Sequence, residues 1–72
     1  MINHRVTNID FEKVGKLISS KYLSWAELAR QANISSATIF AIKAGRRNAS
    51  YKTLRNIANA LGVEPSVIVS KE

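Results

Sequence analysis

Residues 23–43 read Leu23-Ser24-Trp25-Ala26-Glu27-Leu28-Ala29-Arg30-Gln31-Ala32-Asn33-Ile34-Ser35-Ser36-Ala37-Thr38-Ile39-Phe40-Ala41-Ile42-Lys43, and one punctuation occurs in this stretch twice. A serine follows an apolar residue, and a second apolar residue stands five positions after the first: Leu23-Ser24 with Leu28, then Ile34-Ser35 with Ile39. This is the arrangement of a helix start. The serine oxygen accepts from an early amide, and the apolar pair fixes the angle at which the chain enters. Glu27, at the third helical position after Ser24, supplies the acidic half of a capping box. Only Asn33 and Ile34 separate the first of these helices from the cap of the next. So short a link forces the pair to cross steeply, the geometry of a helix-turn-helix, with Ala29 where a small side chain permits close approach.

The same start signal recurs on either side. Asp10 stands between Ile9 and Val14, Ser50 between the weaker pair Ala49 and Leu54, and Glu64 between Val63 and Ile68. Glu64 is a mediocre cap, but Pro65 falls in the first turn, where its missing N–H costs nothing. The apolar spacing agrees: Val14, Leu17, Ile18 and then Leu54, Ile57, Ala58, Leu61 mark helices with one buried face. Gly45 and Gly62 fall where the third and fourth helices should stop, each free to take the left-handed conformation of a helix end. Gly15 inside the first helix is tolerated at about 1 kcal/mol relative to alanine. These signals predict helices near residues 11–20, 24–32, 35–43, 50–61 and 65–69. They give an all-α domain over residues 10–69, with an N-terminal arm or short strand over residues 1–9 and a tail at 70–72.

Seventy-two residues, 46% hydrophobic, suit one small core and no more. The absence of cysteine removes disulfides, thiolate zinc sites and cysteine nucleophiles, and fits a reducing cytoplasm. The longest apolar run, Ile39 to Ile42, is far too short to span a membrane, so no membrane partner is expected. The charge is informative by its placement. Residues 28–63 hold Arg30, Lys43, Arg46, Arg47, Lys52 and Arg55 with no acid, while the remaining five basic and five acidic residues cancel. The whole net charge of +6 therefore sits in one half of the chain. Such a surface attracts a polyanion, nucleic acid being the commonest in a cytoplasm, although a basic face kept for solubility is the plainer alternative.

The series Leu23-Ser24-Trp25-Ala26-Glu27-Leu28-Ala29, Asn33-Ile34-Ser35, Thr38-Ile39, Ile42, Gly45-Arg46-Arg47, Ser50, Thr53-Leu54, Ile57-Ala58, Ala60-Leu61-Gly62-Val63 resembles the XRE-type, lambda-repressor-like helix-turn-helix family, without gaps from about residue 11 to 69. The resemblance implies a five-helix DNA-binding domain whose third helix enters the major groove while the second lies across the backbone. Carried over by position, it puts base reading on Ser36, Ala37, Thr38, Phe40 and Lys43, with Thr38 facing either bases or backbone. Family members often carry glutamine at the positions of Trp25, Ser36 or Ala37, and none is present here. The surface therefore favours apolar contact of Ala37 and Phe40 with thymine methyls and hydroxyl contact from Ser36. An internal Arg/Glu pair common in the family is replaced by Ile18 and Lys43, which leaves an apolar contact at Ile18 and frees Lys43 to face a phosphate.

Backbone contact is expected of Trp25 and Ser35 at the DNA-facing edge, of Arg46, Arg47 and Asn48 after the recognition helix, and of Ser50, Tyr51 and Lys52 where the fourth helix presents its amides. Several of these residues have a plainer reading. Trp25 fits equally well as a wall of the core, and Tyr51 as a lid over the core edge. Phe40 lies about 100° from Ile39, off the buried stripe. It must meet DNA, fold onto Trp25 or join a subunit contact, and DNA is the reading adopted. His4 stands alone, and no catalytic, cofactor or metal site is expected. The function the resemblance implies is a sequence-specific DNA-binding transcriptional regulator, a small repressor of the phage or mobile-element kind. The implied partner is a pseudo-palindromic double-stranded operator bound as a homodimer, through either the tail Val67-Ile68-Val69 or residues 1–8. The rival reading is an antitoxin or other protein-interaction module; an enzyme finds no support in the residues.

Overall fold

A computed structural model of the chain describes residues 6–70. Among them run β1 (Val6–Thr7), α1 (Phe11–Ser20), α2 (Trp25–Gln31), α3 (Ser36–Lys43), β2 (Ala49–Ser50), α4 (Tyr51–Leu61) and α5 (Pro65–Ile68). The five expected helices are all present, within a residue or two of the expected ends. Most of the difference comes from the caps, which flank the helices rather than belong to them.

Four of the five caps close by the expected hydrogen bond. The side chains of Asp10, Ser24, Ser35 and Ser50 accept from the amides of Lys13, Glu27, Thr38 and Thr53. Each satisfies one of the donors that a helix start leaves open. Glu64 caps α5 by position alone, without a side-chain hydrogen bond. The Glu27 carboxylate turns forward to accept from Arg30, so the capping box on α2 is carried by its serine half.

The helix ends repeat one motif. After α1, the Leu23 amide donates to the Ile18 carbonyl and the Tyr22 amide to Ser19. After α2 the same pair is Ile34 to Ala29 and Asn33 to Arg30, after α3 it is Arg46 to Ala41 and Gly45 to Ile42, and after α4 it is Val63 to Ala58 and Gly62 to Asn59. These are Schellman closures, and each needs one left-handed residue. Tyr22, Asn33, Gly45 and Gly62 supply it, with φ of 58°, 63°, 83° and 73°. The residue that closes one helix is often the residue that staples the next: Leu23, Ile34 and Val63 each end a helix and precede a cap. Such double use makes the connections short and fixes the crossing of α2 and α3.

The core gathers Val14 and Ile18 from α1, Leu28 and Ala29 from α2, Ile39 from α3, Leu54, Ile57, Ala58 and Leu61 from α4, and Ile68 from α5. Ala29 is buried where α2 meets its neighbours, and Ile18 makes the apolar contact expected of it. The expected arm or strand resolves in part into β1, which pairs antiparallel with β2 in the register Val6 with Ser50 and Thr7 with Ala49; residues 1–5 lie outside the described ones. The ends of the fold are tied together. Ile9 bridges Val69, the Asp10 amide donates to the Ile68 carbonyl at 2.8 Å, and the Ser70 amide to Asn8 at 2.9 Å. This tie buries Ile68 and draws Val69 onto the core, leaving Val67 as the exposed apolar residue of the tail.

Candidate nucleic-acid interface

The face that α3 turns outward is fixed by the face it buries. Ile39 and Ile42 enter the interior, and Ser36, Ala37, Phe40 and Lys43 consequently stand exposed, with Thr38 and Ala41 half-buried at the margins. Phe40 is 44% exposed, and the ring packed against Trp25 is that of Phe11. The Ser35 hydroxyl accepts the Thr38 amide and is hydrogen-bonded to Thr38 Oγ1 at 2.7 Å, which ties the threonine side chain to the start of α3. Ser50 repeats this arrangement with Thr53 at the start of α4.

The segment after α3 does not wander off. The Arg46 amide is bonded to the Ala41 carbonyl at 2.9 Å, which seats the basic turn directly on the last turn of α3. Arg46 occupies the closing position that Leu23, Ile34 and Val63 fill elsewhere with an apolar side chain, and it is exposed together with Arg47 and Asn48. At this one helix end the chain therefore places a cation where packing would favour a hydrophobe. Tyr51 and Lys52 are exposed in the first turn of α4, with Tyr51 lining a groove of about 310 Å³ beside Leu54, Pro65, Ser66 and Val69. Tyr51 thus stands at the α4–α5 groove while remaining 55% exposed.

Trp25 is half-buried and sits where three helices meet. Its ring lies 6.0 Å from that of Phe11 at 49°, an added Cβ on Gly15 would stand 3.6 Å from its Cζ2, and Lys43 Nζ lies over its face at 4.9 Å. The wall role is thus present, and Lys43 lies over the indole, exposed and without an acidic partner among the described residues. Sequence reading missed Phe11 and Gly15 as the seat of the indole, although their spacing of four puts them on one face of α1. It also missed Tyr22, which is left-handed and 96% exposed. Of the basic stretch, Arg30 is paired with Glu27, whereas Arg46, Arg47, Lys52 and Arg55 have no acidic partner among the described residues. Also among the described residues, no group of His, Asp and Glu could hold a metal ion, and no helix is long and apolar enough to cross a membrane.

Comparison with known proteins agrees with this geometry. The immunity repressor protein of Bacillus phage phi105 is 33% identical over 61 residues, covering 85% of this chain; the chain spans 42% of that relative's length. The crystal structure of the restriction-modification controller protein C.AhdI from Aeromonas hydrophila superposes with a TM-score of 0.70 at 27% identity, covering 78% of this chain and 85% of that one. The helix-turn-helix family profile matches residues 16–68, from the middle of α1 to the end of α5, and the chain belongs to that family.

Proposed function

We propose that this chain is a sequence-specific, double-stranded DNA-binding transcriptional regulator, a repressor of the phage or mobile-element kind. It acts in the cytoplasm and works by binding rather than turnover. The observation that carries the reading is α3 itself. It buries Ile39 and Ile42, exposes Ser36, Ala37, Phe40 and Lys43, and runs straight into the unpaired cations Arg46 and Arg47. An exposed helix face of small, hydroxyl and aromatic side chains beside a basic turn suits a major groove, with bases read by the helix and phosphates held by the turn. The names of the two relatives, an immunity repressor and a restriction-modification controller, support a regulatory role.

In this reading Ser36, Ala37, Thr38 and Phe40 read base edges, and Ser35, Arg46, Arg47, Asn48, Ser50 and Lys52 position the backbone. Two copies occupy a pseudo-palindromic operator, meeting near α5. The support there is the groove lined by Tyr51, Leu54, Pro65, Ser66 and Val69, and separately the 38%-exposed Val67 of α5. Selection of binding sites from a random duplex library, followed by methylation protection read at guanine N7 in the major groove and adenine N3 in the minor groove, tests the whole proposal. The expected product is an inverted repeat with half-sites about one helical turn apart, roughly 34–36 Å, protected in the major groove. Equal recovery of all sequences, or protection confined to the minor groove, would contradict it.

A further inference from the structure

The indole of Trp25 and the ammonium of Lys43 come from the first turn of α2 and the last turn of α3, and they meet at 4.9 Å. Lysine is a flexible point charge on a four-carbon stem. Left to itself it samples many rotamers and loses that freedom whenever it binds an anion. An aromatic face attracts the cation through its quadrupole without occupying the ammonium N–H donors as a carboxylate would. Lys43 over Trp25 is therefore restrained and still able to donate.

The indole is itself fixed. Phe11 lies 6.0 Å away, Gly15 admits the ring edge against α1, and Trp25 packs on the core. Lys43 has no acidic partner among the described residues, whose single ion pair joins Glu27 to Arg30. Lys43 is the one cation of α3, at the far end of the exposed face it shares with Ser36, Ala37 and Phe40, and its ammonium lies over a side chain of α2.

We infer that Trp25 is a positioning residue that presents Lys43 to a backbone phosphate of bound DNA, so that Lys43 clamps the duplex without reading its sequence. The inference rests on the DNA-binding function proposed above and assigns two residues of that site. Lys43 leaves the base-reading set, and Trp25 acts through Lys43 instead of donating its own N–H to the backbone.

The test is a double-mutant cycle in DNA affinity, measured below the melting transition of every variant at 50 and 200 mM salt. It uses wild type, Lys43→Met, Trp25→Leu and the double variant, on the selected operator and on single-pair substitutions of it. Lys43→Met is expected to weaken all duplexes by one common factor. Its affinity should also fall about 3.5-fold less than that of wild type between the two salts, the share of one phosphate contact at a slope of 0.9. With Trp25→Leu already in place, adding Lys43→Met should change affinity and salt dependence little. Trp25→Phe, which keeps an aromatic face, should restore most of the coupling, a rescue that a purely structural role for the ring would not produce. In the free protein the Lys43 side-chain protons should be shifted upfield by the indole and lose that shift in Trp25→Leu. Equal costs of Lys43→Met in both backgrounds, or a changed ranking of operator variants, overturns the inference while leaving the DNA-binding reading intact. A wild-type protein that prefers no duplex overturns the reading on which it rests.

Discussion

Tyr22 holds a backbone conformation that favours glycine, with φ of 58°, while its side chain is 96% exposed and gains almost nothing from packing. An L-residue in that region costs roughly 1–2 kcal/mol, part of which glycine would return as chain entropy in the unfolded state. Tyr22→Gly is therefore expected to raise stability by about 0.5–1 kcal/mol in urea denaturation, and a loss would mean that the ring is packed after all. Gly15 presents the converse case. It lies inside α1 in ordinary helical conformation, and a Cβ there would meet Trp25 Cζ2 at 3.6 Å, an ordinary contact. Gly15→Ala should accordingly stabilise the fold by up to about 1 kcal/mol, as a helix interior prefers alanine. A drop in the denaturation midpoint would show that the indole needs the bare backbone. Neither residue's setting was legible in the sequence. Tyrosine does not announce a left-handed turn as the asparagine of α2 or the glycines of α3 and α4 do, and the indole that borders Gly15 arrives from another helix.

At the scale of elements, the helix starts were legible because every signal that marks them is local. A cap and its staple lie within five residues of each other, and Asp10, Ser24, Ser35 and Ser50 all close as their neighbours imply. The β1–β2 ladder was not legible as a pair, because Ala49-Ser50 has little strand character and its partner, Val6–Thr7, is distant in sequence. The exposed face of α3 could be read from the period of its buried face. The placement of Lys43 over Trp25 could not, since it depends on how α2 and α3 cross. Leu54 tests the packing that holds these elements together. It is fully buried in the first turn of α4 and belongs to the core that α4 shares with α2 and α5. Leu54→Ala should cost roughly 2–5 kcal/mol, read as a shift in the urea midpoint at unchanged slope. An unaltered midpoint would remove α4 from the centre of the fold.

For the whole molecule, the net charge of +6 is carried by residues 28–63, which include the exposed basic turn seated on the end of α3. If Arg46 and Arg47 meet phosphates, Arg46→Ala and Arg47→Ala should each weaken operator and random duplex by similar factors. Each should also reduce the slope of log affinity against log salt by about 0.9. Unchanged slopes in both variants would turn that surface away from DNA. The central claim is that the outward face of α3 reads bases, and Phe40 separates reading from folding, because it is exposed at 44% and stands outside the core. The decisive measurement pairs a melting curve of Phe40→Ala with titrations at one fixed salt concentration. The duplexes are the selected operator, the same site with one T·A pair replaced, and the same site with uracil for that thymine. The variant should melt close to wild type and lose roughly 1–3 kcal/mol of discrimination between the first two duplexes, and uracil should reproduce part of that loss in the wild-type protein. Early melting with discrimination intact would contradict the account, placing Phe40 in the structure and leaving Ser36, Ala37 and Thr38 to specify the site.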